Sequence, residues 1–177
     1  MSRPDTEALL GSVRTLLGGR VLNFYRVNVV LAGEQVALDE TLVLCAESPS
    51  SVCWLQLLTD HCEPTLRAMG GKEDYVILGE YSDRESDSLE IVDNSWTPFV
   101  VDHVVAVWQR IGRSGESLLA LVFYAPDGVS SSILFDNDDI LLVSAERVWR
   151  YVLAILPHAR EVRAEPLEGK QERKEAM

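Results

Sequence analysis

Histidine and cysteine are scarce in this chain, three of each. His61, His103 and His158 stand alone, and Cys45, Cys53 and Cys62 match neither a disulfide framework nor the paired spacings of a zinc site. An odd, unframed set of thiols suits a reducing compartment, where cysteine serves as a small core residue. No apolar run reaches the roughly 18 residues of a membrane-spanning helix. The opening SRPDTEALL carries acids where a signal peptide would carry an apolar block. A soluble, cytoplasmic protein is the expectation, with no membrane partner. Also missing are G-x-S-x-G, a P-loop, G-x-G-x-x-G and H-E-x-x-H, so none of those catalytic or phosphate-binding devices is present as a motif.

Bases are the next shortage. The net charge is −12. Residues 34–139 hold 20 acids against 5 bases, and the remainder holds 8 against 11. The middle therefore carries −15 and the flanks +3. Such a middle repels nucleic-acid phosphate and attracts cationic surfaces. Solubility explains it equally well.

Apolar residues make up 47% of the chain, enough for a globular core. The densest runs lie in Leu118 to Leu156. Leu118 to Tyr124, Ser130 to Phe135 and Ile140 to Val143 read as three strands, turned by Pro126-Asp127-Gly128 and by Asn137-Asp138. Short polar turns favour an antiparallel meander. Ser144 can then cap a helix carrying Val148, Trp149 and Val152, stopped by Pro157.

At the other end, Asp5 to Leu17 places Leu9, Leu10, Val13, Leu16 and Leu17 on one helical stripe, ended by Gly18-Gly19. Arg20 to Leu31 is rich in β-branched and aromatic residues and reads as a long strand. Gln35 to Leu38, Leu42 to Ala46 and Val52 to Leu58 follow as strands. Pro64 to Met69 is expected to form one or two helical turns. Tyr75 to Tyr81 is expected as a strand, Ser82 to Ser88 as a charged loop, and Leu89 to Val92 as further β structure. Phe99 to Ile111 fits a helical stripe at Val101, Val104, Val105 and Trp108, but its β-branched content selects a strand. From Arg160 the chain loses apolar periodicity, and residues 160–177 are expected as a charged, disordered tail.

The whole predicts an α+β fold in one domain over residues 1–159. Its centre is a mainly antiparallel, strongly bent β-sheet, with an N-terminal helix and one later helix packed on it. VALDETLVLCAE at 36–47 echoes ILFDNDDILLVSAE at 133–146. Either two related β-meander halves, at about 20–58 and 100–156, descend from a duplication, or hairpins with acidic turns simply look alike.

Three groups of residues invite a chemical reading. Asp136, Asp138 and Asp139 could ligate a hard cation, yet an acidic hairpin turn is also what solvation and turn geometry favour. His61 and Cys62 adjoin in sequence, which does not make them a catalytic pair. Glu80, Asp83, Glu85, Asp87, Glu90 and Asp93 crowd one stretch, followed by Trp96 in the polar context DNSWTP. An aromatic beside carboxylates is the composition of a contact site for a basic protein; a tryptophan lid over the core is the alternative.

The leading expectation is thus a non-enzymatic acidic binding protein, of inhibitor or immunity type, that masks a basic protein partner. Glu80, Asp83, Glu85, Asp87, Asp93 and Trp96 would form the contact, the acids on one continuous face. Two alternatives stand beside it: a metal-assisted hydrolase using Asp136, Asp138 and Asp139, and an assembly subunit pairing through sheet edges. No cofactor, structural metal or nucleic-acid partner is expected, and the protein is expected as a monomer or homodimer.

Overall fold

The computed structural model describes residues 4–48, 51–60, 63–77, 81–92, 98–111, 115–128, 130–136, 138–155 and 162–168. The architecture is α+β and mainly antiparallel. Instead of one strongly bent sheet, the strands divide between two.

The N-terminal helix α1 (Pro4–Arg14) winds down through i→i−3 bonds at Thr15, Leu16 and Leu17, and Gly18 takes a positive φ of 79° to end it. Strand β1 (Arg20–Leu31) then anchors the first sheet. One edge of β1 pairs with β2 (Glu34–Ala37) and β3 (Thr41–Glu47), lying end to end along it. The other edge pairs with β6 (Ser86–Ile91) and β7 (Phe99–Val100). Beyond β3 the sheet continues through β4 (Val52–Asp60) to β5 (Glu63–Met69). The second sheet runs β11 (Asp139–Val143), β10 (Ser130–Asp136), β9 (Gly115–Tyr124), β8 (His103–Ile111), β12 (Val162–Leu167). Helix α2 (Ala145–Ile155) follows β11, and the Ser144 hydroxyl accepts from Arg147 N at its start. No helix among the described residues is long and apolar enough to cross a membrane.

The two sheets share one apolar core. Val21, Phe24, Leu42, Leu44, Leu55 and Leu57 of the first meet Val104, Trp108, Leu121, Phe123, Ile133 and Ile140 of the second. The α1 stripe of Leu9, Leu10, Val13 and Leu16 fills the same core, packed along β5. An extra residue in β1, Leu22, lets Val21 and Phe24 face the same side although they are three apart. On the outside, α2 covers the second sheet through Val148 and Val152, while Tyr75, Ile77 and Tyr81 cover the first over Tyr25, Val27 and Val29.

Several expectations need correction. Pro64–Met69 is a strand, not helical turns, because hairpin pairing with β4 over seven residue pairs outweighs the helix preference of Leu, Arg, Ala and Met. Tyr75 to Ile77 is extended but joins no ladder: the side-chain amide of buried Gln56 takes both backbone groups of Val76, accepting at 2.9 Å and donating at 2.8 Å. A side chain thus replaces the neighbouring strand. Tyr81 lies in a turn, and residues 78–80 are outside the described set. The presumed charged loop becomes strand from Ser86.

The charged tail is ordered over Val162–Leu167, which pairs with β8 along its length. Arg163 donates twice to Glu116, at 3.1 and 2.8 Å, and sits over the Trp108 ring. Trp108 Nε1 donates to Glu165 at 3.1 Å. These polar anchors carry no apolar periodicity, so the segment looks unstructured on paper. The echo between 36–47 and 133–146 does not extend to pairing. β10 and β11 form a hairpin closed at Asp136 and Asp139, whereas β2 and β3 pair with β1 instead of each other.

Candidate functional site

The acidic stretch is organised by β6. Its burial runs exposed at five of six residues, and among the described residues it pairs with β1 alone. It is therefore an edge strand. Asp83, Glu85, Asp87 and Glu90 are all exposed and surround it, and Arg84 is the single base from 82 to 92.

These carboxylates differ in how they are held. Asp87 accepts from Arg84 Nε at 2.7 Å and from the Tyr75 hydroxyl. The Arg84 hydrogen bond, with help from Tyr75, holds the Asp87 carboxyl below its ordinary range. Burial and the Asp87 bond together push the Tyr75 phenol up. Glu85 accepts from Gly33 N at 3.2 Å, at the tip of the β1–β2 hairpin. Glu90 accepts from the side-chain amide of Asn28, itself almost wholly buried. Strand alternation points Asp87 with Leu89 toward the outer cover and Glu90 toward Asn28 on the opposite face. Asp87 and Glu90, the latter outside the predicted contact set, therefore lie on opposite faces. They flank one edge from both sides. Of the remaining predicted residues, Glu80, Asp93 and Trp96 lie outside the described residues.

The acidic turns sit elsewhere, at a junction between the sheets. Ile140 N donates to Asp39 O at 2.7 Å, and the Thr59 hydroxyl donates to Asp138 O. Arg26 reaches across, donating to the carbonyls of Thr41 (2.8 Å) and Ile140. Burial pulls the Arg26 guanidinium down from its ordinary value, opposed by Asp39, Asp139 and Glu40. Asp136 accepts from the Tyr151 hydroxyl at 3.0 Å, and burial raises the Tyr151 pKa to about 12. Among the described residues, no group of three or more His, Cys, Asp or Glu could hold a metal ion. Asp136, Asp138 and Asp139 form no such group.

His103 is exposed, bonds Asp102 at 2.8 Å and stacks on Tyr124. Cys45 packs on the outer face of the first sheet and Cys53 against the central core, both as free thiols. His61, Cys62 and His158 are outside the described residues. A cleft of about 20 Å³ beside Gly19, Glu47 and Cys53 has room for a water molecule but not for an organic ligand.

Arg26 and Gln56 were not singled out by the motifs. A usable signal existed: each is a lone polar residue inside an apolar strand, RVLNFYRVNVVL and VCWLQLLTD, where a buried polar group demands partners. No protein-family model matches the chain, and no curated protein or solved structure matches it either.

Proposed function

We propose that this is a non-enzymatic acidic binding protein that masks a basic protein partner, in the manner of an inhibitor or immunity protein. The observation that carries the reading is the β6 edge, where four exposed acids face solvent around one base and that base is already engaged by Asp87. Asp83, Glu85 and Glu90 supply the charge that steers a cationic partner, since an exposed patch of one sign raises the encounter rate with a partner of the opposite sign. Trp96, which follows β6 in sequence, is the aromatic that would govern residence. Free thiols at Cys45 and Cys53 are in keeping with a cytoplasmic setting.

The test is recovery of bound proteins from native lysate at low and high salt, with wild type beside Asp83→Asn/Glu85→Gln/Glu90→Gln. The amides keep an acceptor for Gly33 N and Asn28 while removing charge. Basic proteins retained by wild type at low salt, released by high salt and lost by the variant, support the reading. Retention by the variant equal to wild type contradicts it.

A further inference from the structure

The edge of β6 carries more than charge. Val92 N donates to Phe24 O across the β1–β6 ladder. Hydrogen-bonded and non-bonded pairs alternate along an antiparallel ladder, so Glu90 and Ser88, opposite Arg26 and Asn28, turn their backbone groups toward β1. The N–H and C=O groups of Asp87, Leu89 and Ile91 then point to the outer side, where no described strand pairs with them. Ile91 is 57% exposed on that edge. Exposed edges usually carry lysine, proline or a bulge that blocks a newcomer. β6, reading SDSLEI, carries none of these residues and pairs with β1 in unbroken register.

Its acids decide which newcomer fits. A second copy pairing along this edge would gather Asp83, Glu85, Asp87 and Glu90 of both chains around one seam, where like charges repel. A basic strand meets the reverse condition, with lysine or arginine beside Asp87 on one face or beside Glu90 on the other, according to its register. We propose that the outer edge of β6 accepts an extended basic segment of the partner as an added strand, through the backbone groups of Asp87, Leu89 and Ile91. Backbone pairing supplies the affinity of such additions, and side-chain complementarity supplies the choice. The proposal rests on the acidic-binding reading above and gives it a geometry.

The probes are three synthetic eight-residue peptides: alternating lysine–valine, alternating lysine–proline of equal charge, and alternating glutamate–valine. Proline removes ladder donors and imposes a polyproline conformation, so the second peptide keeps charge without a strand. The lysine–valine peptide should bind at low salt at least tenfold more tightly than either control. At saturation it should slow amide exchange of Asp87, Leu89 and Ile91 at least tenfold. Ile91→Pro deletes an outward donor and spares the β1 ladder, so it should weaken lysine–valine binding about tenfold. If Ile91→Pro does not fold, as read by circular dichroism, the peptide comparison on wild type decides.

Equal binding of the lysine–proline peptide overturns strand addition while leaving the acidic reading intact. Absence of lysine–valine binding, or equal binding of the glutamate peptide, overturns both. A concentration-dependent dimer in sedimentation that Ile91→Pro abolishes would assign the edge to a second copy and overturn the basic occupant.

Discussion

Gln56 offers the sharpest test of how the outer cover is held. It is wholly buried, and its amide is saturated: Nε2 donates to Thr41 Oγ1 at 3.0 Å and to Val76 O, while Oε1 accepts from Val76 N and from Arg67 at 3.0 Å. Gln56→Leu keeps the volume and deletes all four bonds. At about 1 kcal/mol net per bond the gross loss is about 4 kcal/mol. Val76 and Arg67 are partly exposed and recover some of this from water, whereas the Thr41 hydroxyl loses its amide donor in the interior. A loss of about 2–3 kcal/mol is expected. Urea titration should show a lower midpoint at nearly unchanged slope. Tyr75, Ile77 and Tyr81 should also become more accessible, because the segment over the first sheet is pinned through Val76. If Gln56→Leu is within 0.5 kcal/mol of wild type, the amide is not what holds the segment, and apolar contact alone suffices.

Four further outcomes follow from the same structure. Arg26→Met should cost about 2–3 kcal/mol in urea titration, because the carbonyls of Thr41 and Ile140 lose charge-assisted donors at the sheet junction, offset by relief of guanidinium burial. Gly19→Ala should destabilise by about 1–3 kcal/mol, since the added Cβ would stand 2.9 Å from Glu47 O and 3.2 Å from Leu16 O, both backbone atoms; Gly11→Ala, with nothing within 4 Å, should instead stabilise by up to about 1 kcal/mol. The Asp87 pKa is lowered in the folded state, so its contribution is present above the unfolded value near 3.9 and disappears as pH falls through the lower folded value. Asp87→Asn should therefore flatten the loss of stability below about pH 4, measured by unfolding at a series of pH values.

What could be read from the chain depended on where its stabilisation resides. β1, β3, β4, β8, β9, β10 and β11 carry dense apolar and β-branched residues, and both helices show a stripe with a stop signal, so these elements were legible. β5 and β12 were not, because Pro64-Thr-Leu-Arg-Ala-Met and Val-Arg-Ala-Glu-Pro-Leu are made strands by their neighbours and, for β12, by Arg163 with Glu116. Tyr75 to Ile77 alternates like a strand, yet a glutamine side chain fills the place of a partner. The acidic stretch was visible in composition, but its geometry was not: only the pairing of Ser86–Ile91 with β1 turns a charged loop into an edge, with Asp87 and Glu90 on opposite sides. Asp87 is tied to Arg84, so in the proposed reading the steering falls to Asp83, Glu85 and Glu90.

Whether those charges guide a partner is settled most directly by the rate of association with the basic protein recovered from lysate, at about 20 and about 200 mM salt. Screening shortens the reach of exposed charge to roughly 8–10 Å by physiological ionic strength. Wild type should associate about tenfold faster at the lower salt. Asp83→Asn/Glu85→Gln/Glu90→Gln should associate slowly at both concentrations, with a nearly flat salt dependence. If the variant associates as fast as wild type, with the same response to salt, the acidity of this edge serves solubility and the binding account is wrong.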